Sequence, residues 1–197
     1  MNLDNLKFTT DWTTHNVPFW QKALERYVGK PGIRALEIGT WEGRSTSWFL
    51  AEILTGDKAK LTTIDRDHSR FDSNRKILDA VYPGKLLTIQ TDAFEWMLDY
   101  AGPQFHFIYL DGPKDAGDLI DQAVLCWRIL APGGVLIFDD YMWPGTTDGG
   151  FPSPPRHYSN PPRIGIDAFL QCHYLDYDLV SKGWQLIIQK KWQEVAK

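Results

Sequence analysis

Acidic residues follow five short apolar runs of this sequence. The runs with their acidic ends are Ala35–Glu37, Leu61–Asp65, Leu86–Asp92, Phe105–Asp111 and Val135–Asp140. Short, nearly continuous hydrophobic segments are typical of buried strands in a parallel sheet, and helical stretches between them make the strands point the same way. Their carboxyl ends therefore share one edge, which is where open α/β sheets bind ligands. Six carboxylates at that edge predict recognition of a polyol, binding of a cation, or both.

Three of these carboxylates are predicted to lie within a few ångströms of one another. Asp111 and Asp139 are 28 residues apart with one helical stretch between them, and Asp140 follows directly. Neighbouring parallel strands are about 4.8 Å apart, so the side chains would repel unless some stay protonated or a cation neutralises them. Oxygen ligands alone suit Mg²⁺, with Mn²⁺ or Ca²⁺ as alternatives. The competing interpretation is that Asp139 or Asp140 caps a turn and points into solvent.

A glycine-containing turn follows the first run, and further polar residues follow the second and third. Gly39 permits a tight turn and Gly43 permits close backbone approach at a helix start. Trp41 stands where a dinucleotide-binding motif has its middle glycine, which argues against a nicotinamide dehydrogenase. Asp65 is placed to accept hydrogen bonds from both hydroxyls of a ribose. Asp92 either contacts an adenine edge or caps the helix after it.

The spacing of apolar residues predicts the elements that position these groups. An N-terminal helix over His15–Val28 precedes the first strand, and further helices are predicted between the strands at Ser45–Leu54, Ser69–Val81, Ala93–Tyr100 and Asp118–Leu130. Pro132-Gly133-Gly134 is interpreted as the turn before the fifth strand. A helix at Gly165–Leu175 and an antiparallel hairpin over Tyr177–Gln189 complete a mostly parallel α/β sheet with helices on both faces.

The chain is predicted to be a single domain over residues 1–197. Residues 1–30 would form an N-terminal helical cover. Residues 141–163 hold six Pro and three Gly, and this segment is either a lid over the acidic edge or disordered.

Charge and composition restrict the partners. The formal net charge is −4 and no block of Lys and Arg occurs, which argues against nucleic acid or an anionic membrane as a partner and favours a small molecule. Neither a secretory leader nor a membrane span is apparent, so a cytoplasmic location is expected. Cys126 and Cys172 are predicted to be buried free thiols.

The order of these motifs resembles that of class I S-adenosylmethionine-dependent methyltransferases. The resemblance rests on Glu37-x-Gly39, Asp65, Thr91-Asp92-Ala93 and Asp111, and it runs from about Ala35 to the terminal hairpin. It implies a seven-stranded Rossmann-like sheet whose last strand is antiparallel. It also implies S-adenosylmethionine as cofactor, with the methionine portion near Gly39, Thr40, Trp41, Gly43 and Ser45, the ribose on Asp65, and the adenine near Asp92 and Ala93. Glu37, Arg66, Asp111 and Gly112 complete the expected cofactor-binding set.

A second set of residues is similar to metal-dependent O-methyltransferases of the catechol, caffeoyl-CoA and macrocin types. It comprises Asp111-Gly112-Pro113-Lys114 and the stretch Phe138-Asp139-Asp140-Tyr141-Met142-Trp143-Pro144-Gly145. The resemblance implies Asp111, Asp139 and Asp140 as metal ligands, and Lys114 as a general base acting beside Asp111. The catechol enzymes have Asp-Asn where this chain has Asp139-Asp140. The alternative for Lys114 is a solvated loop lysine paired with Asp115 or Asp118.

These features together predict an enzyme that methylates a hydroxyl of a small molecule, using S-adenosylmethionine and a divalent metal, Mg²⁺ above all. A metal-independent methyltransferase and a catalytically silent nucleoside-binding or scaffolding protein are the alternatives. The acceptor is not identified by the sequence, and a homo-oligomer stays open. Trp12 either covers the substrate pocket or anchors the N-terminal helix on the sheet.

Overall fold

All the apolar runs predicted as strands pair in one seven-stranded sheet of the computed structural model, which describes residues 3–143 and 161–192. The strand order is β3-β2-β1-β4-β5-β7-β6. The strands are β1 Arg34–Ile38, β2 Lys60–Asp65, β3 Leu86–Gln90, β4 Phe105–Leu110, β5 Leu130–Phe138, β6 Tyr177–Lys182 and β7 Leu186–Lys190. The first five are parallel, and β7 pairs antiparallel with both β5 and β6. The predicted single α/β domain with a mostly parallel sheet and a C-terminal antiparallel hairpin is confirmed.

Six α-helices in the described ranges cover both faces of the sheet. They are α1 Val17–Leu24, α2 Arg44–Trp48, α3 Asp72–Val81, α4 Ala93–Leu98, α5 Ala116–Ile129 and α6 Pro162–Cys172. Helix α1 precedes β1, and the other five connect strands. One apolar core lies between the sheet and α4, α5 and α6, and a second lies between the sheet and α1, α3 and the segment after α2. Because successive strand residues point to opposite faces, Leu36 and Ile38 enter the first core whereas Ala35 enters the second.

Several predicted boundaries differ from the structure. The helix predicted over Ser45–Leu54 is a short α-helix that continues as a π-helical turn over Phe49–Ile53. Strand β5 begins at Leu130, so Pro132-Gly133-Gly134 lies within it, beside a shift of pairing register between Phe105 and Phe107. Cys126 is buried as predicted, but Cys172 is exposed, because it is the last residue of α6 and lies beyond Phe169, the last buried residue of that helix.

Residues 6–16, before α1, have no regular structure apart from a 3-10 turn at Thr14–Asn16. They lie across the helices that follow β1 and β2, and we call them the N-terminal strap. Asn74 accepts a hydrogen bond from the Lys7 amide at 2.9 Å and donates to the Lys7 carbonyl at 2.7 Å. The side chain of Asn74 therefore satisfies both backbone groups of Lys7, as a neighbouring strand would in a sheet. Of residues 1–30, predicted as an N-terminal helical cover, the described part contains this strap, α1 and short 3-10 turns at Leu3–Asn5 and Glu25–Tyr27. Residues 144–160 lie outside the described residues, and with them most of the predicted lid over 141–163. In the described ranges, no helix has the length and apolar character needed to cross a membrane.

Candidate active site

The turn after β1, residues 39–43, is held against the ends of two neighbouring strands, and we call it the glycine turn. Gly39 has φ +88°, and a side chain there would meet the carbonyl oxygen of Asp111 at 2.8 Å, so only glycine fits. The carboxylate of Asp65 accepts hydrogen bonds from the backbone amides of Thr40 at 2.8 Å and Trp41 at 3.2 Å. Asp65, predicted to hold a ribose, is thereby fixed at the carboxyl edge beside this turn.

Glu37 lies beneath the glycine turn and does not reach the crevice. It is fully buried, and its carboxylate accepts hydrogen bonds from the hydroxyls of Ser45 and Thr46, each at 2.5 Å, and Thr63 at 2.8 Å. Burial raises the pKa of Glu37 to about 7, against the effect of the three hydroxyls. Its prediction as a direct cofactor-binding residue is wrong in the structure, since a side chain with no exposed surface cannot contact a ligand. Through these hydrogen bonds Glu37, on β1, is joined to β2 and to the helix after the turn. Ser45, also predicted to bind the cofactor, uses its hydroxyl in one of these bonds.

Asp92 caps the helix after β3, as one of the two sequence interpretations expects. Its Oδ1 accepts hydrogen bonds from the amides of Phe94 at 2.8 Å and Glu95 at 3.2 Å. Its Oδ2 accepts a bond from the Nε of Arg66 at 2.8 Å. Partial burial raises the pKa of Asp92, but the bonds from Arg66 and the two amides outweigh it and leave the pKa below its usual value. Arg66 and Asp92, both predicted near the nucleoside, are joined across the ends of β2 and β3, with Ala93 buried directly behind them.

The ends of β4 and β5 bring Asp111, Asp139 and Asp140 together, and we call these three the carboxylate cluster. One oxygen from each lies within 4.8 Å of the others, and all three residues are partly buried. Asp140 has a left-handed backbone conformation with φ +53°, which is uncommon for a residue other than glycine. Burial, together with the neighbouring Asp139, raises the pKa of Asp111, and burial also raises that of Asp140. All-carboxylate ligation of this size fits a hard divalent cation.

Lys114 lies against the carboxylate cluster. Its Nζ is 2.6 Å from the Oδ1 of Asp111 and 2.5 Å from the Oδ2 of Asp140, and its side chain is 26% exposed. The alternative of a solvated lysine paired with Asp115 or Asp118 is therefore wrong. Burial alone would lower the pKa of Lys114, but the adjoining carboxylates outweigh it and raise the pKa well above its usual value. The lowered pKa expected of Lys114 depends on a neighbouring cation and stays a prediction.

Asp139 has further partners that the sequence did not indicate. Its Oδ2 accepts a hydrogen bond from the hydroxyl of Tyr109 at 2.9 Å, and its Oδ1 accepts one from the Nε2 of Gln185 at 2.7 Å. The Oε1 of Gln185 in turn accepts a bond from the indole nitrogen of Trp20 at 2.6 Å. Burial and the charges of Asp111 and Asp139 raise the pKa of Tyr109 well above its usual value, so its hydroxyl keeps its proton. In the sequence these three residues are ordinary members of a helix, a strand and a hairpin.

The N-terminal strap and the glycine turn form the wall of a cavity that opens onto the carboxylate cluster. Trp12 of the strap lies 6.0 Å from Trp41, measured between ring centroids. Both line the cavity together with Tyr109, Asp111 and Asp139. Trp20, fully buried, anchors α1 on the sheet, so the account in which Trp12 covers a pocket agrees better with the structure than the account in which it anchors the helix.

The predicted residues thus gather along one edge of the sheet, with Glu37 beneath it. The glycine turn, Asp65, Arg66 and Asp92 occupy the ends of β1 to β3. Gly112 follows Asp111 at the end of β4 and is exposed there. The carboxylate cluster and Lys114 occupy the adjoining ends of β4 and β5. Such an edge can hold a nucleoside on one side and a cation or a hydroxyl group on the other.

Comparison with known proteins adds a family match and a set of similar folds. A family model described as "Methyltransferase domain" matches residues 36–141, which is just over half of the chain. A search of curated protein sequences found no match. Among solved structures, an O-methyltransferase from Bacillus cereus in complex with SAH (S-adenosylhomocysteine) has a TM-score of 0.64 at 17% identity, over 95% of this chain and 86% of that chain.

Two further solved structures have similar folds. The O-methyltransferase TomG from Streptomyces achromogenes, involved in tomaymycin synthesis and in complex with SAM, has a TM-score of 0.65 at 20% identity, over 92% of this chain and 82% of that chain. The MycE methyltransferase of the mycinamycin biosynthetic pathway, in complex with Mg, SAH and mycinamycin VI, has a TM-score of 0.67 at 16% identity, over 95% of this chain and 52% of that chain. At these identities the likeness is one of fold.

Proposed function

Because the chain belongs to the methyltransferase domain family, we propose that it transfers a methyl group from S-adenosylmethionine to a hydroxyl of a small molecule, with a divalent cation at the carboxylate cluster. The class I methyltransferase resemblance of the sequence motifs is confirmed by the family match and the fold. The observation that carries the proposal is the position of the carboxylate cluster and Lys114 beside the glycine turn and Asp65.

The residues of the edge divide between cofactor and acceptor. Asp65 presents acceptor oxygens at the end of β2, where a ribose would lie, and its bonds to the glycine turn keep it in place. The methionine portion would lie against the glycine turn and Gly112, and the adenine near Asp92 and Ala93. S-Adenosylmethionine supplies an electrophilic methyl group, so the work left to the protein is to orient the acceptor oxygen and to take up its proton.

Asp111, Asp139 and Asp140 would hold the cation, which we expect to be Mg²⁺, with Mn²⁺ or Ca²⁺ as alternatives. The cluster fits because its donors are all carboxylate oxygens, within 4.8 Å of one another. The magnesium in the MycE complex supports this choice of metal for the fold. A bound divalent cation would lower the pKa of the acceptor hydroxyl.

Lys114 is the candidate general base. The structure holds its ammonium between Asp111 and Asp140. Neutralising these two carboxylates would therefore lower its pKa and free it to accept a proton. Trp12 and Trp41 would enclose the acceptor and exclude water from this part of the edge.

The same contact of Lys114 favours a second candidate, a metal-independent methyltransferase. The ammonium already neutralises part of the charge of the cluster. In this mechanism Asp111 and Lys114 would take up the hydroxyl proton of the acceptor without a metal. A silent scaffold with the same fold stays an alternative to the enzyme, and a homo-oligomer stays open. A cytoplasmic location and the absence of nucleic-acid and membrane partners remain predictions.

Calorimetric titration of S-adenosylmethionine and of Mg²⁺ tests the proposal. The wild type should bind both, and D111A should lose Mg²⁺ binding, whereas the exposed control D118N should keep it. Unchanged Mg²⁺ binding in D111A would exclude the ligand assignment. Formation of S-adenosylhomocysteine with a panel of hydroxylated small molecules, with and without excess EDTA, separates the two mechanisms: full turnover in EDTA supports the metal-independent one, and no product with any acceptor supports the scaffold.

A further inference from the structure

A chain of hydrogen bonds joins α1 to the carboxylate cluster through the β6–β7 turn. The indole nitrogen of Trp20 is 2.6 Å from the Oε1 of Gln185, and the Nε2 of Gln185 is 2.7 Å from the Oδ1 of Asp139. Trp20 is fully buried and Gln185 is 5% exposed. The bond between Trp20 and Gln185 is thus shielded from water, and the bond between Gln185 and Asp139 is partly shielded. A fixed partner matters more in such surroundings than at the surface.

The direction of each bond in this chain is fixed by its first member. An indole N–H can only donate, so the amide oxygen of Gln185 must face Trp20. The amide NH₂ must then face Asp139, which is the acceptor at the end of the chain. With the hydroxyl of Tyr109 donating to the other oxygen at 2.9 Å, both oxygens of Asp139 receive a hydrogen bond. Reversing the amide of Gln185 would place oxygen against oxygen at Asp139 and N–H against N–H at Trp20.

We infer that Trp20 and Gln185 are positioning residues for Asp139 as a metal ligand, an inference that rests on the proposed divalent cation at the carboxylate cluster. Bonds to both oxygens prevent rotation of the carboxylate and keep its remaining lone pairs directed at the cluster. Partners that orient metal ligands from outside the coordination sphere commonly change metal affinity by 10- to 100-fold when they are removed. Asp111 and Asp140, by contrast, share the ammonium of Lys114, and the hydroxyl of Tyr109 is farther from Asp111, at 3.2 Å, than from Asp139.

These positioning residues come from segments outside the part that matches the family model. Trp20 lies before residue 36 and Gln185 after residue 141. Gln185 reaches Asp139 because β7 runs antiparallel to β5, with Leu186 paired to Phe138, so the residues next to this pair also adjoin. The two ends of the chain therefore both contribute to the geometry of one carboxylate.

A packing role for Trp20 is the competing explanation. Its ring lies 4.9 Å from that of Phe49 and 5.3 Å from that of Tyr109, so its loss would disturb the core. Replacement by Phe keeps a ring but removes the N–H. If Trp20 acts on the metal site through Gln185, then its replacement should have no further effect once Gln185 has lost its amide.

The test is a titration of the protein with Mn²⁺ in the absence of cofactor. Binding is measured by the loss of the free-ion signal in electron paramagnetic resonance. The variants are Q185M, Q185N, W20F and the double variant W20F/Q185M, each checked for folding by circular dichroism. Q185N retains an amide that is one methylene too short to reach Asp139. Q189M is the matched control, because Gln189 lies on β7, the strand that follows Gln185, but pairs with Val135, away from the cluster.

We expect Q185M and Q185N to bind Mn²⁺ at least about 10-fold more weakly than the wild type, W20F to lose less, and the double variant to match Q185M. Q189M should match the wild type. If folded Q185M or Q185N binds Mn²⁺ with an affinity within twofold of the wild type, this inference is overturned while the proposed function stands. The same holds if the effect of W20F persists in full in the double variant. No Mn²⁺ binding by the wild type would overturn the metal in the proposed function, and this inference with it.

Discussion

The ammonium nitrogen of Lys114 lies 2.6 Å from the Oδ1 of Asp111, the residue that begins the same turn. This contact places a positive charge where the proposed cation would also be attracted. The ammonium of Lys114 is therefore a counter-ion that the cluster already has. A divalent cation that binds there must either displace this ammonium or bind beside it.

Replacement of Lys114 by Met should strengthen metal binding and weaken catalysis. Two unit charges 4 Å apart interact by about 4 kcal/mol at an effective dielectric constant of 20, so removal of the ammonium should raise Mg²⁺ affinity at least about tenfold. Turnover should fall by about 10²-fold or more if Lys114 takes up the proton. Calorimetry and S-adenosylhomocysteine formation measure the two effects, with K22M, an exposed lysine on α1, as control. Weaker Mg²⁺ binding in K114M would contradict the competition.

Replacement of Asp65 by Asn should weaken cofactor binding. The carboxylate accepts the amides of Thr40 and Trp41 on one oxygen and that of Asp67, at 3.1 Å, on the other. An Asn amide cannot accept on both sides, and charged hydrogen bonds contribute about 1.5–3 kcal/mol each. The affinity for S-adenosylhomocysteine should fall about 100-fold in calorimetry. D67N is the control, because the carboxylate of Asp67 lies in the same loop and accepts hydrogen bonds from Ser69. Equal losses of affinity in both variants would argue against a specific role of Asp65.

Glu37 should make the stability of the protein decrease with pH. Its pKa is raised from 4.5 to about 7, mainly by burial. The folded state therefore holds this proton more tightly than the unfolded state, and the stability from it is complete below pH 4.5 and lost as pH rises to 7. The loss amounts to roughly 3 kcal/mol, because each pH unit between the two pKa values corresponds to about 1.4 kcal/mol.

Urea unfolding of the wild type and E37Q between about pH 4.5 and 8 measures this effect. The free energy of unfolding of the wild type should fall relative to that of E37Q across the window, because the glutamine side chain of the variant does not titrate. Asp111 and Asp140, whose pKa values are also raised, are common to both proteins and cancel in the difference. Parallel pH profiles would show that folding does not raise the pKa of Glu37.

The sequence predicted the sheet and its acidic edge because both follow from short-range patterns. Parallel strands are buried on both faces and so appear as apolar runs, and their ends mark the edge. That is how Asp65, Asp111, Asp139 and Asp140 could be placed correctly. Glu37 was misplaced because a strand alternates its side chains: it precedes the last residue of β1, and its side chain points beneath the turn to Ser45 and Thr46.

The partners of Asp139 could not be predicted, for a different reason. Gln185 and Trp20 are 165 residues apart, and their contact depends on the register of β7 against β5 and on the packing of α1. No periodicity in either segment carries that information. The N-terminal strap is similar, since its position depends on side-chain bonds from α3 and the glycine turn rather than on regular structure.

The last prediction concerns the attachment of the N-terminal strap by Glu42. This buried carboxylate accepts hydrogen bonds from the amide of Thr9 at 2.7 Å and from its hydroxyl at 2.5 Å. E42A removes both, so amide hydrogen exchange in residues 6–16 should accelerate by about 10-fold or more, since each bond to a charged group contributes about 1.5–3 kcal/mol. Exchange in β1, β4 and β5 should stay slow, because the strap adds nothing to the strand pairing. E52A, an exposed glutamate shortly after α2, serves as control, and faster exchange throughout the sheet would show that Glu42 supports the whole fold rather than the strap.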